Sequence, residues 1–197
     1  MSGLPVAKKD AGVPPSTQGL AEIYAQYGAF VWRNLRRMGI PEAALDDATQ
    51  DVFLVVHRRL DDFAARSQLK TWLFGIVLRV GQNYRRSWLR RRAVVADAPA
   101  VEESAVISQS VLGPLEFVEK REAVDLLYEL LAELDDEKRA MLISVELEEM
   151  SVSEASEAMG IKVNTGYSRL RAAHRGFEKI VARRKARDAA VDRKLTP

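Results

Sequence analysis

Between Leu115 and Thr196 the chain has no proline, and apolar residues there recur at three- and four-residue steps. Proline breaks helix interiors, and that spacing lines one face of an α-helix, so the pairing restricts this stretch to helices. The same rhythm starts earlier. Leu20, Ile23, Tyr24, Tyr27, Phe30, Val31, Leu35 and Met38 predict a first helix, which Gly39 stops. Pro41 fits a first helical position, with Glu42 in the favourable first turn. Leu45, Ala48, Val52, Val55, Val56 and Leu60 then form the apolar face of a second helix. A loop around residues 61–68 leads to a third, striped by Trp72, Leu73, Ile76, Val77, Val80 and Tyr84 and ending in RRSWLRRR. Further on, Ala123, Leu126, Leu127, Leu130, Leu131 and Leu134 share a face. Asp135 and Asp136 can cap the next helix, which holds Met141, Leu142, Val145 and Leu147 inside. No strand-like alternation is flanked by hairpin signals. The expected fold is all-α: two small helical domains joined by a flexible linker, the second ending in a helix-turn-helix.

Punctuating residues set the expected boundaries. Residues 1–17 carry Pro5, Pro14, Pro15, Gly3 and Gly12 with few large apolar groups, and read as a disordered arm. Residues 18–92 form the first helical domain. Residues 93–114 turn small, acidic and β-branched, with Pro99 and Gly113-Pro114, and read as an acidic linker. Residues 115–182 form the second domain, and 183–197 a basic tail.

Charge follows these divisions. The chain has 30 Lys and Arg against 28 Asp and Glu, a net charge of only +2. Yet residues 57–92 hold ten bases and two acids, and residues 158–197 hold eleven bases and three acids. Between them, residues 93–119 have five acids and no base, and residues 120–157 have twelve acids and four bases. Two basic segments parted by an acidic stretch suggest two polyanion-binding surfaces, or else merely solvated helix faces.

Several functional classes are excluded. Without cysteine there is no disulfide scaffold, thiol nucleophile or Cys-ligated zinc. His57 and His174 are too few for a multi-histidine metal site. There is no Gly-rich phosphate loop, metal-spaced cluster or nucleophile–His pairing. We therefore expect no enzyme, catalytic residue, metal, cofactor or small-molecule substrate. Asp46-Asp47 and Asp61-Asp62 fit helix caps and turns. The apolar runs fall short of a membrane span, and the N-terminus lacks the apolar core of a secretory signal, so a cytoplasmic location is expected.

The sharpest local pattern is SVSEASEAMGIKVNTGYSRLRAAHR, residues 151–175. Ser151 followed by Glu154 is a capping box that starts a short helix. Ala155, Ala158 and Met159 face inward, Gly160 permits a tight turn, and Ile161 plugs the angle before a second helix begins near Val163. A short helix, a Gly-containing turn and a longer basic helix make a helix-turn-helix, whose second helix reads the major groove through its N-terminal residues. Those residues are Asn164, Thr165, Tyr167, Ser168, Arg169 and Arg171. Lys162, Arg175 and Lys179 are suited to phosphates. In the second helix, Asp47, Gln50, Asp51 and Leu54 occupy one face, away from the valine stripe. An acidic face beside a DNA-facing helix calls for a basic protein partner or for solvent.

In this order, LDDATQDVFLVVHRRL, TWLFGIVLRVGQNYRRS and the terminal helix-turn-helix with its SRLRAA segment resemble bacterial sigma factors of the extracytoplasmic-function group. The resemblance covers about residues 20–92 and 120–182. It implies a subunit that binds core RNA polymerase, recognises the −10 and −35 promoter elements and helps to open the DNA. The polymerase partners it implies are the β′ clamp helices and the β flap. It places Asp47, Gln50, Asp51 and Leu54 at core polymerase. It gives the −10 strand Phe63, Ala64, Arg66, Ser67, Gln68, Lys70, Arg79, Asn83, Arg85 and Arg86, with residues 64–68 as the loop that captures a flipped base. It matches Thr165, Ser168 and Arg169 to the −35 recognition helix. An anti-sigma factor partner, able to hold the protein at the inner membrane, is also implied. Arg79 departs from the family, where asparagine is frequent. Gly166 stands where a β-branched residue is usual and Ala155 where isoleucine is common, so thinner packing is expected, with a second domain that is less stable alone or ordered by a partner. A dimeric helix-turn-helix regulator of duplex DNA and an adaptor that does not bind DNA remain open alternatives.

Overall fold

A computed structural model describes residues 19–63, 67–95 and 116–195. Seven α-helices follow one another among them: α1 (Leu20–Arg37), α2 (Leu45–Arg59), α3 (Leu69–Val95), α4 (Glu116–Ala132), α5 (Asp136–Leu142), α6 (Val152–Met159) and α7 (Val163–Leu195). No strand occurs among the described residues, in keeping with the all-α expectation. The expected arm lies outside them, as does the linker apart from residues 93–95, which finish α3.

Helices α1, α2 and α3 pack against one another, and α4, α5 and α6 pack around α7 or its neighbours. The stripe of α1 behaves as its spacing predicts: Ile23, Phe30, Val31, Leu35 and Met38 are buried. Gly39 ends the helix in the left-handed region, at φ 84°, where glycine carries no Cβ penalty. Proline then acts differently from expectation. Pro41 is extended and precedes a single 3-10 turn, Glu42–Ala44, so α2 begins only at Leu45. From there Leu45, Ala48, Val52, Phe53 and Val56 are buried.

Helix α3 departs more sharply from a one-sided stripe. Leu73, Ile76, Val77 and Val80 are buried as expected, but so are Phe74 and Leu78 on other sides of the helix. The reason is tertiary: Phe30 of α1 lies against Phe74, and α6, from the other end of the chain, also packs against α3. A Cβ on Gly75 would stand 2.9 Å from the Ala158 carbonyl oxygen, so two backbones meet there. In α4 the pattern overstates burial. Leu130 and Leu131 are buried, as is Leu134 just beyond the helix, whereas Ala123 and Leu126 are exposed.

Asp135 caps α5 by accepting a bond from the Lys138 amide at 2.9 Å. A π-helical turn, Ile143–Leu147, continues α5, and Glu149 then reverses the chain at φ 56°. Before α6, Ser151 and Glu154 form the predicted capping box. Arg139 of α5 is fully buried. Its guanidinium donates to the carbonyls of Leu131, Ala132 and Leu134 at the end of α4, and to Met38 at the end of α1. Helix ends leave carbonyls without partners, and one arginine here satisfies two such ends. A continuous apolar cluster runs from Ile23 in α1 to Ile180 in α7.

Candidate nucleic-acid interface

The helix-turn-helix consists of α6, a turn and α7. Gly160 occupies the left-handed region at φ 67°, and the Ile161 amide bonds back to the Ser156 carbonyl at 2.9 Å. This reversal leaves the first turns of α7 protruding. Lys162, Asn164, Thr165, Tyr167, Ser168, Arg171 and Arg175 are all exposed, and the Ser168 hydroxyl donates to the Thr165 carbonyl at 2.9 Å. Arg169 differs: it is half-buried and pairs with Glu137 of α5 at 2.6 Å. Near it, burial raises the Asp135 carboxyl, but its bonds from Lys138 and the charges of Lys138 and Arg169 outweigh this and hold it below its usual value.

Gly166 overturns the expectation of thin packing. Its position is buried, and a Cβ there would collide with Ser156 Oγ and stand 3.1 Å from Val152. Ser156 in turn donates to the Val152 carbonyl at 2.6 Å, which holds its hydroxyl in place. Glycine is what lets α7 approach α6 this closely.

On the first three helices, Asp47, Gln50 and Leu54 are exposed along the outer side of α2. Asp51 is half-buried and accepts a 2.6 Å bond from the Tyr84 hydroxyl of α3. A groove of about 900 Å³ opens beside Gln50, between α1 and α2, with Tyr24, Trp32 and Thr49 in its walls. Of the residues assigned to the −10 strand, Arg79, Asn83 and Arg86 are exposed on α3, and Gln68 precedes it, also exposed. Ser67 and Phe63 are half-buried, the Phe63 ring tilted against Trp72 at 5.0 Å between centroids. Ala64 and Arg66 lie outside the described residues. Phe74, an attractive stacking candidate by its place on the basic helix, is fully buried against Phe30, with centroids 6.2 Å apart. It belongs to the core.

Two of the assigned cations are already engaged. Arg85 pairs with Asp136 at 2.6 Å, and Lys70 with Glu148 at 3.1 Å. Glu148 is the residue that sequence reasoning passed over. It is buried, and it also accepts from Asn34 at 3.0 Å and Arg37 at 2.5 Å, with Arg33 at 3.6 Å. Arg33, Asn34 and Arg37 all lie on α1. Nothing in a run of acids near residues 146–149 singles out one member; only the pairing of α1 with the turn after α5 does. Among the described residues no group of His, Cys, Asp and Glu could hold a metal ion, and no helix is long and apolar enough to cross a membrane.

Residues 23–92 match the sigma-70 region 2 family, and residues 125–175 match the sigma-70 region 4 family. The RNA polymerase sigma factor NccH of Alcaligenes xylosoxydans xylosoxydans is 30% identical over 76% of this chain and 79% of its own length. The ECF RNA polymerase sigma-E factor of Escherichia coli K12 is 26% identical over 66% of this chain and 70% of its own. Among solved structures, that of CnrH in complex with the cytosolic domain of CnrY is similar in fold. It has a TM-score of 0.62 and 21% identity, and the match covers 85% of this chain and 92% of that one. The chain belongs to the sigma-70 family of RNA polymerase sigma factors, in its extracytoplasmic-function group.

Proposed function

We propose that this protein binds core RNA polymerase and directs it to promoters with a −10 and a −35 element, helping to open the first of them. The observation that carries this is the coincidence of both sigma-70 regions with two helical surfaces of different chemistry. One is the acidic outer side of α2, the other the exposed basic start of α7.

Residues 18–92 act as the polymerase-binding and −10 unit, and residues 115–182 as the −35 unit. Residues 93–114 link them, and 1–17 and 183–197 flank them. Asp47, Gln50, Asp51 and Leu54 meet the β′ clamp helices, where a basic partner suits the carboxylates. Arg79, Asn83, Arg85, Arg86 and Lys70, with Phe63 and residues 64–68, hold the −10 strand. Favourable binding of unstacked bases supplies the energy for opening, so no cofactor and no catalytic group is needed. Lys162, Asn164, Thr165, Tyr167, Ser168, Arg169, Arg171 and Arg175 read and position the −35 duplex, Arg suiting guanine and Asn adenine. The second unit also contacts the β flap. An anti-sigma factor holds the protein inactive in the cytoplasm; a protein of similar fold, the sigma factor RpoE of Bartonella quintana, is solved in complex with the anti-sigma factor NepR.

The deciding experiment is transcription in vitro with core polymerase over a pool of genomic fragments. Initiation at a shared set of start sites, dependent on this protein, is expected. Its absence, or a palindromic footprint made without polymerase, sinks the reading.

A further inference from the structure

The contact between α1–α3 and α4–α7 is unusually rich in charge for a surface that runs through one core. Glu148 enters from the second group of helices and stands among Arg33, Asn34 and Arg37 of α1 and Lys70 of α3. Lys70 reaches the Glu148 backbone carbonyl as well, at 2.9 Å. Three cations thus surround one carboxylate, and two positive charges are left over. Arg37 engages the carboxylate through Nη1 alone, and its buried Nε has no partner. An arginine fork that uses one prong on a carboxylate is only partly satisfied; a phosphate can take both.

We infer that Arg33, Asn34, Arg37 and Lys70 form a binding site for a phosphate of the DNA backbone, and that Glu148 occupies it as an internal stand-in. The closed chain therefore masks its own DNA contact, and DNA and Glu148 compete for one place. Asp136 repeats the arrangement on Arg85, farther along α3. The inference rests on reading Lys70 and Arg85 as DNA-facing. Helix α1 thereby contributes to DNA binding alongside α3, and the buried carboxylate acquires a role. Arg37 is largely buried and would be costly to leave without a counter-charge, so Glu148 stays in place until another anion replaces it.

Two variants of the full chain open the site by independent means. Glu148→Gln removes the competing charge. Gly75→Leu leaves every charge intact and drives a side chain into the Ala158 backbone, which forces α6 off α3. Because the protein has no cysteine, dyes placed at Glu22→Cys and Glu178→Cys, both exposed, report the separation by energy transfer. The probe is an oligothymidylate of about 20 nucleotides, which offers phosphates without a promoter sequence. Both variants are expected to lengthen the dye separation and to bind the probe about tenfold more tightly, the gain expected when a masked state becomes the populated one. Adding Arg37→Gln to either should cancel that gain. If Glu148→Gln fails to fold by circular dichroism, Gly75→Leu decides alone. An opened chain with parental affinity, a gain that survives Arg37→Gln, or no separation in any folded variant overturns the inference. None of these measurements involves polymerase, so they fail independently of the transcription assay.

Discussion

Helices α3 and α7 carry the two basic segments of the chain, yet they live in opposite surroundings. Helix α3 lies between α1 and α2 on one side and α6 on the other, buried over Leu73, Phe74, Ile76, Val77 and Leu78. Its cations Lys70 and Arg85 are paired with carboxylates from beyond residue 130. Helix α7 turns its first residues outward, and of those assigned to DNA only Arg169 is held by a carboxylate among the described residues, Glu137. Both helices meet α6 through a glycine, Gly75 from one side and Gly166 from the other. Equal charge therefore says little about availability: what matters is which helix the rest of the chain folds onto.

The largest test of this contrast is Arg139, which ties the ends of α1 and α4 together. Arg139→Leu leaves four backbone carbonyls without their donor and is expected to cost about 3–5 kcal/mol in chemical denaturation. A loss below about 1 kcal/mol would mean that the two groups of helices do not depend on it. Next comes Gly166→Val. Helix propensity alone would favour the change, but the collision with Ser156 should dominate and destabilise the protein by about 1–3 kcal/mol. A stabilised variant would show that α7 can slide away from α6. Gly75→Leu should separate the helices with a smaller loss of melting temperature, since it wedges a contact between groups rather than within one.

Surface substitutions sharpen the functional side. Asp47→Arg should weaken core polymerase binding about tenfold, some 1.4 kcal/mol, and leave binding to a −35 duplex intact. Arg171→Ala should reverse that pattern; equal effects in both assays would end the division of roles. The smallest change is at Asp135, whose cap should be worth about 1 kcal/mol against alanine. Because its carboxyl is held low in the folded protein, that stability is present above the unfolded value near pH 3.9 and is lost as pH falls through the folded one. Comparing Asp135→Ala with the parent, the stability gap should close on acidification. A gap independent of pH would point to some other role for the side chain.

Much of this was legible in the sequence because it is local. The stripe of α1, the Gly39 stop, the Ser151–Glu154 box and the Gly160 turn each follow from a few neighbouring residues. The failures share a cause. Ala123 and Leu126 looked buried, and Gly166 looked like a packing defect, because periodicity cannot tell which distant element covers a helix. Arg139 and Glu148 were hidden for the same reason: each takes its meaning from α1, about a hundred positions away. At the candidate interface, the residues exposed on α7 could be named in advance. The pairing of Lys70 and Arg85 could not.

The Tyr84–Asp51 hydrogen bond joins the face of α2 assigned to polymerase with the helix assigned to the −10 strand. A cation that draws Asp51 away must break the bond from the Tyr84 hydroxyl, and Tyr84 stands between Asn83 and Arg85. Under the assignment proposed for these faces, a partner that displaces this bond at one face would change affinity at the other, and such coupling is reciprocal. Through this hydroxyl, the proposed engagement of polymerase and the proposed grip on the separated strand would become linked equilibria.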